Sequence, residues 1–161
     1  MARVTETPTI RVASTEDAPA IARLVNVAFQ VESFFKIGDR TNTAEILPML
    51  QAGEFLLLED AGLAGCVYLT IKKDGRAYFG MLSIDPSRQG RGFGRLLIDA
   101  VETRARERGC RAMDIHIVNL REELPGFYQK LGYVEHGTLP FPDGEHSTRP
   151  CHFVVMSKAL V

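Results

Sequence analysis

Between Gln89 and Arg95 the chain reads Gln-Gly-Arg-Gly-Phe-Gly-Arg. Glycine at every second position lets the backbone curl and brings successive N–H groups close to a ligand. Apolar periodicity starting at Phe93 predicts a helix, so these amides stand at its N-terminus, where the macrodipole favours negative charge. Arg88, Arg91 and Arg95 add guanidinium groups that suit phosphate oxygens. Together these residues form a pyrophosphate cradle. A P-loop is excluded because Gly94 is followed by Arg95-Leu96 instead of Lys-Ser/Thr. A dinucleotide fingerprint starting at Gly90 fails because its third glycine falls on Arg95. Asp114, about twenty residues on where a ribose-binding acid would stand, does not rescue it.

A cradle needs a strand to deliver it and a helix to carry it away. Ala77 to Ile84 reads as the strand, stopped by Pro86, and the helix runs from Phe93 to Gly109. Its predicted inner face is Phe93, Leu96, Leu97, Ala100, Val101 and Ala105, with Arg95, Asp99, Glu102 and Arg106 outside. Upstream, Thr9 to Ala13 alternates as a strand and Ser14 to Asp17 offers helix caps. Ile21, Leu24, Val25, Ala28 and Phe29 then follow at helical spacing. Val31 to Asn42 is irregular. A second short helix starts near Thr43 despite Pro48.

Glu54–Glu59 and Ala64–Ile71 read as a hairpin about Asp60-Ala61-Gly62, so three strands in a row make a meander. Ala112 to Val118 is a fifth strand, parallel to the fourth through a right-handed crossover. A short helix over Leu124 to Leu131, a strand over Tyr133 to Thr138, a polar loop over Leu139 to Pro150 and a last strand over Cys151 to Lys158 complete the chain. The prediction is a single α/β domain over residues 1–161, with a mixed, mostly antiparallel sheet of six to seven strands and about four helices.

Composition limits the partners. A formal net charge of −1 argues against general nucleic-acid binding, and arginines gathered at one loop of a neutral chain point to a small anionic ligand. No run approaches membrane-spanning length and no signal-peptide core is present, so a cytoplasmic location is expected. Cys66, Cys110 and Cys151 read as small core residues of a reducing compartment. His136, His146 and His152 show no metal-ligand spacing.

The segment Gln89 to Gly94 matches Gln/Arg-x-x-Gly-x-Gly/Ala and resembles the acyl-CoA loop of the GNAT superfamily of acetyl-CoA-dependent N-acetyltransferases. The resemblance extends to Leu82-Ser83-Ile84-Asp85-Pro86 before the loop and to Phe127-Tyr128-Gln129-Lys130-Leu131-Gly132-Tyr133 after it. It implies acetyl-CoA as donor, an amine as acceptor, and two parallel strands that splay apart beyond the cradle. Backbone groups of Leu82, Ser83 and Ile84 would then pair with the pantetheine arm. Gln89, Gly90, Arg91, Gly92, Phe93, Gly94 and Arg95 would take the pyrophosphate.

Tyr128 matches the family tyrosine that protonates the leaving thiolate; the alternative is aromatic packing, which Phe127 also fits. Asn119 fits a position that often bonds the cofactor, although strand capping is equally compatible and the eight residues Leu120 to Phe127 exceed the usual spacing. The family's glutamate on the fourth strand is missing from Tyr78 to Ser83, which leaves the general base to His116, to Glu32 or to a water relay. His116 also reads as a half-buried strand histidine, and Glu32 as a solvated loop acid.

The acceptor would be bounded by Val31 to Asn42 and Leu139 to Pro150. Phe34, Phe35 and Arg40 could hold a carboxylate-bearing amine, unless the two phenylalanines pack inward. The expected activity is acetyl transfer to a small or amino-acid-like primary amine. Acetylation of a protein N-terminus or lysine, and a non-catalytic acyl-CoA sensor, are the competing readings. An exposed last strand would leave a homodimer open.

Overall fold

The patterning becomes a seven-stranded mixed sheet in the computed structural model, which describes residues 7–141 and 147–161. In chain order the elements are β1 Thr9–Val12, α1 Ala18–Ala28, α2 Thr43–Ala52, β2 Glu54–Glu59, β3 Leu63–Ile71 and β4 Arg76–Ile84. They continue with α3 Phe93–Glu107, β5 Ala112–Val118, α4 Leu124–Gln129, β6 Val134–Pro140 and β7 His152–Ala159. The strand order is β1-β2-β3-β4-β5-β7-β6. Among the described residues only the β4/β5 pair is parallel, as the crossover through α3 requires.

Local chemistry sets the helix starts. The Asp17 carboxylate accepts from the Ser14 N–H at 2.8 Å, ahead of Pro19 in the first turn of α1. The Asn42 side chain accepts from the Glu45 N–H at 2.9 Å to open α2, which continues through Pro48. The apolar run Phe55-Leu56-Leu57-Leu58 is buried on both faces of the sheet, which accounts for its lack of alternation. Leu56 and Leu58 join β3, β4, β5 and α3 in one core, whereas Phe55 and Leu57 join α1 and α2 in the other.

Two sequence expectations change. The inner stripe of α3 is rotated: Leu96 is exposed, while Ile98 and Glu102 are buried. Glu102 is drawn inside by donors no helical wheel contains, the Tyr133 hydroxyl at 2.9 Å and the Lys158 ammonium at 2.8 Å. The last strand, β7, lies between β5 and β6 and is therefore not an edge. The edge on that side of the sheet is β6, exposed at every residue, so the support for a homodimer from an exposed last strand is lost.

Candidate active site

The parallel pair β4/β5 holds for only three positions, Arg76↔Ala112, Ala77↔Met113 and Tyr78↔Asp114. Beyond Tyr78 the two strands part, leaving β4 paired with β3 and β5 paired with β7. A β-bulge drives the separation: Tyr68 faces Gly80 and Cys66 faces Ser83, so β4 carries an extra residue across this interval. Met81 absorbs it at φ +52°, a strained value for a side chain of its kind. The Met81 carbonyl accepts from the Ser83 hydroxyl at 3.0 Å and faces the Cys66 thiol at 3.9 Å. In a planar trans peptide the Leu82 N–H points the opposite way, away from β3. The bulge thus frees a backbone donor at the splay.

The closed end of the splay is riveted by charge. Asp114 is buried and accepts from Lys72 at 2.8 Å and from Arg76 at 2.9 Å, with the Ser157 hydroxyl completing the cluster. Burial opposes its ionisation, but the bonds from Arg76, Lys72 and Ser157 prevail and hold its carboxyl well below the usual carboxylate range. This depressed pKa makes the Asp114 contribution to stability complete above the unfolded carboxylate pKa, near 3.9, and lost as pH falls further. Asp114→Asn is expected to cost about 1.5–3 kcal/mol in denaturant unfolding at pH 7, and less at pH 3. An unchanged midpoint at pH 7 would remove the rivet from the account.

Two cavities meet at the splay. One, about 760 Å³, lies between Tyr78–Leu82 on one side and Ile115–Val118 on the other, and is closed outside by Lys36–Arg40 and Phe141. The second, about 840 Å³, lies over the cradle between Ile84, Gln89, Gly90, Gly92–Gly94 and the end of α1. Phe29, Leu82, Arg121, Leu124 and Phe127 line both.

The cradle has the geometry its glycines predict. Gly90 and Gly92 sit at φ +81° and +78°, and a Cβ on either would find no heavy atom within 4 Å. The first helical bond of α3 is from Leu96 N–H to the Gly92 carbonyl. The N–H groups of Phe93, Gly94 and Arg95 are therefore left without an intrahelical acceptor. Arg91 and Arg95 are exposed, with only loose pairing to Asp60 and Asp99 at 3.4 Å each. Open space before two left-handed glycines, free helix amides and two exposed guanidinium groups fit a pyrophosphate.

Arg88 departs from expectation. It bonds the Asp60 and Ala61 carbonyls and acts as a strut between the β2–β3 turn and the cradle.

On the other side, Tyr128 is nearly buried yet lines the first cavity, and among the described residues no group hydrogen bonds its hydroxyl. Burial pushes this phenol up to about 12, with Arg121 pulling against the shift. His116 also lines the cavity, between Tyr78 and Phe153 at ring distances of 4.8 and 5.7 Å. Burial, with help from Lys72, lowers its pKa, so it stands neutral at pH 7. Glu32 is buried and not solvated; its Oε2 accepts from Arg121 at 2.9 Å, and it too faces the cavity.

Other expected residues are used elsewhere. The Asn119 side chain accepts from the His152 N–H at 2.8 Å while its own N–H donates to the His152 carbonyl at 2.9 Å, so it clasps β5 to β7. Phe35 is fully buried, and Phe34 packs edge-on against it at 4.8 Å and beneath Arg149. Among the described residues neither is part of the lining of these two cavities, and inward packing is the alternative that Phe35 takes. Arg40 does line the first cavity, over the Phe29 ring. Ser83 is buried and lines neither cavity, while Leu82 and Ile84 line the cavity over the cradle. Residues 142–146 of the predicted acceptor loop, His146 among them, lie outside the described residues.

The sequence reading missed Tyr78, Arg121, Phe141 and Phe153. For Tyr78 a signal was available: Gly80 interrupts a strand, and a Cβ there would lie 2.6 Å from the Tyr78 hydroxyl.

A family model for the acetyltransferase (GNAT) family matches residues 21–133, from α1 to the end of the Tyr128 segment. The chain belongs to the GNAT acetyltransferase family. Among curated sequences none matches. Solved GNAT-type structures share the whole architecture. The yncA protein of Salmonella typhimurium, a candidate acetyltransferase solved with its cofactor acetyl-CoA, is 20% identical with TM-score 0.74, over 97% of this chain and 95% of that one. An N-acetyltransferase of Staphylococcus aureus Mu50 is 17% identical with TM-score 0.76, over 97% and 100%. The ribosomal-protein-S18-alanine N-acetyltransferase of Escherichia coli is 18% identical with TM-score 0.74, over 96% and 94%. At these identities the likeness is one of fold, and the GNAT fold holds from end to end. Among the described residues no helix is long and apolar enough to cross a membrane.

Proposed function

We propose that this GNAT protein is an N-acetyltransferase that moves the acetyl group of acetyl-CoA to the primary amine of a small, amino-acid-like acceptor. The observation that carries the proposal is the meeting of two cavities at the splay, with Tyr128 lining the first next to Phe127 of their shared wall and its hydroxyl unbonded among the described residues. Acetyl-CoA supplies an activated thioester. The cradle amides and Arg91 and Arg95 bind its pyrophosphate, and the unpaired edge of Leu82 to Ile84 orients the arm that leads to the splay.

The Leu82 N–H, turned away from β3 by the bulge, supports the reading as a donor to negative charge on the carbonyl oxygen. Tyr128 holds its proton at neutral pH and can give it to the departing sulfur. His116, kept neutral by burial, and Glu32, paired with Arg121, are two cavity groups placed to take the amine's proton. Attack is direct: Cys66 is fully buried with its thiol pushed up to about 12, Cys110 is buried, and Cys151 lines neither cavity. A cavity of about 760 Å³, walled off by Lys36–Arg40 and Phe141, suits a small acceptor more than a threaded peptide.

The test is release of free thiol from acetyl-CoA across a panel of amines. Turnover with a small primary amine is expected, whereas acetyl-CoA binding without turnover on any amine would favour a sensor. Arg40→Ala is expected to raise the acceptor KM roughly 10- to 100-fold, the value of a charge-assisted hydrogen bond, with acetyl-CoA KM unmoved. Equal changes in both constants would remove Arg40 from the acceptor site.

A further inference from the structure

Four rings cross the floor of the acceptor cavity in an unbroken row. Tyr78 of β4 lies 4.8 Å from His116 of β5, His116 lies 5.7 Å from Phe153 of β7, and Phe153 lies 5.1 Å from Phe141 just beyond β6. All four line the same cavity and all four are only half-buried. Neighbouring rings are tilted by 53°, 37° and 45°, so their faces and edges turn partly into the open space. Rings whose only task is core packing are covered by other side chains. This row is covered by the cavity, and half-buried aromatic surface in a concave site marks where ligand surface goes.

Charge along the row narrows the ligand. Lys36 stands over Phe141 at 5.6 Å, and Arg40 is close enough to Tyr78 to counter the upward shift that burial gives its phenol. Among the described residues Arg40 makes no ion pair and rests over Phe29 at 5.5 Å. The acids of the same cavity are engaged or peripheral: Glu32 is paired with Arg121, Glu45 accepts from the Thr41 hydroxyl at 3.0 Å, and Asp39 is exposed on the rim. With those acids engaged, the Arg40 guanidinium at the head of an aromatic floor disfavours a polyamine and favours a flat apolar group attached to a single amine.

We infer that the acceptor is a primary amine bearing an aromatic ring, with the ring seated on the Tyr78–His116–Phe153–Phe141 row while the amine enters the splay. The inference rests on the N-acetyltransferase reading of this site and names its substrate class. It also accounts for Gly80, whose missing Cβ leaves room for the Tyr78 ring to lie back along β4 at the head of the row. The ring sorts acceptors because edge and face contacts with several aromatic partners are lost together when it is absent.

The test compares matched amines in the thiol-release assay: phenethylamine against propylamine, and phenylalanine against alanine. Saturation-transfer NMR with CoA present reads binding of the same compounds independently of turnover. The expected result is a kcat/KM preference of at least about tenfold for each ring-bearing member. Phe153→Leu keeps an apolar side chain but removes a ring face, and is expected to shrink that preference to about twofold or less while the thermal shift with acetyl-CoA persists. Equal kcat/KM for ringed and ringless amines in the unsubstituted protein overturns the inference and leaves the acetyltransferase reading standing. A preference unchanged in Phe153→Leu overturns the row as its source. Binding of phenethylamine without thiol release from any amine supports the aromatic site and overturns the N-acetyltransferase reading instead. Should Phe153→Leu lose its thermal shift, the matched amines on the unsubstituted protein decide alone.

Discussion

Tyr128→Phe is expected to lower kcat by about 10²- to 10³-fold, with acetyl-CoA KM changed no more than about threefold. The substitution removes one oxygen from a nearly buried ring. The aromatic contacts of Tyr128 with Phe79 and Tyr133, at 6.2 and 5.7 Å, are retained. Because no side-chain hydrogen bond among the described residues involves this hydroxyl, its loss leaves no orphaned partner and stability should hold. What disappears is a proton donor at the place where a thiolate departs. Burial of the phenol, up to about 12, adds a pH signature. The competent form is the protonated one, and raising its pKa extends that form upward. The unsubstituted enzyme should therefore show no alkaline loss of kcat from this group between pH 7 and 10. Stopped assays of kcat and KM across that range check both statements, and a KM-only effect would assign Tyr128 to packing.

The second large effect belongs to the cradle. Gly92→Val is expected to raise acetyl-CoA KM on the order of 100-fold while leaving the protein folded. Gly92 is the N-cap of α3 at φ +78°, where a β-branched residue costs about 1–2 kcal/mol of backbone strain. Nothing from the chain stands within 4 Å of the new Cβ, so the fold meets no clash; the added side chain fills the ligand's space. Two charge-assisted bonds from the helix amides, each about 1.5–3 kcal/mol, are then weakened or misplaced. Isothermal titration with CoA measures this directly. Gly137→Ala, at a site in β6 where a Cβ also meets nothing within 4 Å and which lines neither cavity, should leave the affinity unchanged.

Features governed by a few consecutive residues could be read directly. Glycine alternation from Gly90 to Gly94, the helix opening at Phe93 and the capping residues Ser14 to Asp17 before α1 each express a local backbone preference, and they recur where expected. Adjacency of β4 and β5 followed from the handedness of the crossover. The length of that pairing did not follow, because it depends on one extra residue at Met81 and on the Asp114 cluster, whose partners lie as far off as Ser157.

The same division runs through the site. Gln89 to Arg95 and Tyr128 were legible as types at a spacing. The places of Asn119, Phe34, Arg88 and Glu102 were not legible because each answers to a partner distant in the chain: His152 for Asn119, Arg149 for Phe34, Asp60 for Arg88, Tyr133 and Lys158 for Glu102. The acceptor row was invisible for the same reason. Tyr78, His116, Phe153 and Phe141 become neighbours only when β7 inserts between β5 and β6. Local order in the chain therefore established the donor, since a pyrophosphate is held by consecutive amides. The acceptor was decided by the sheet, since a cavity floor is assembled from strands that meet only in the fold.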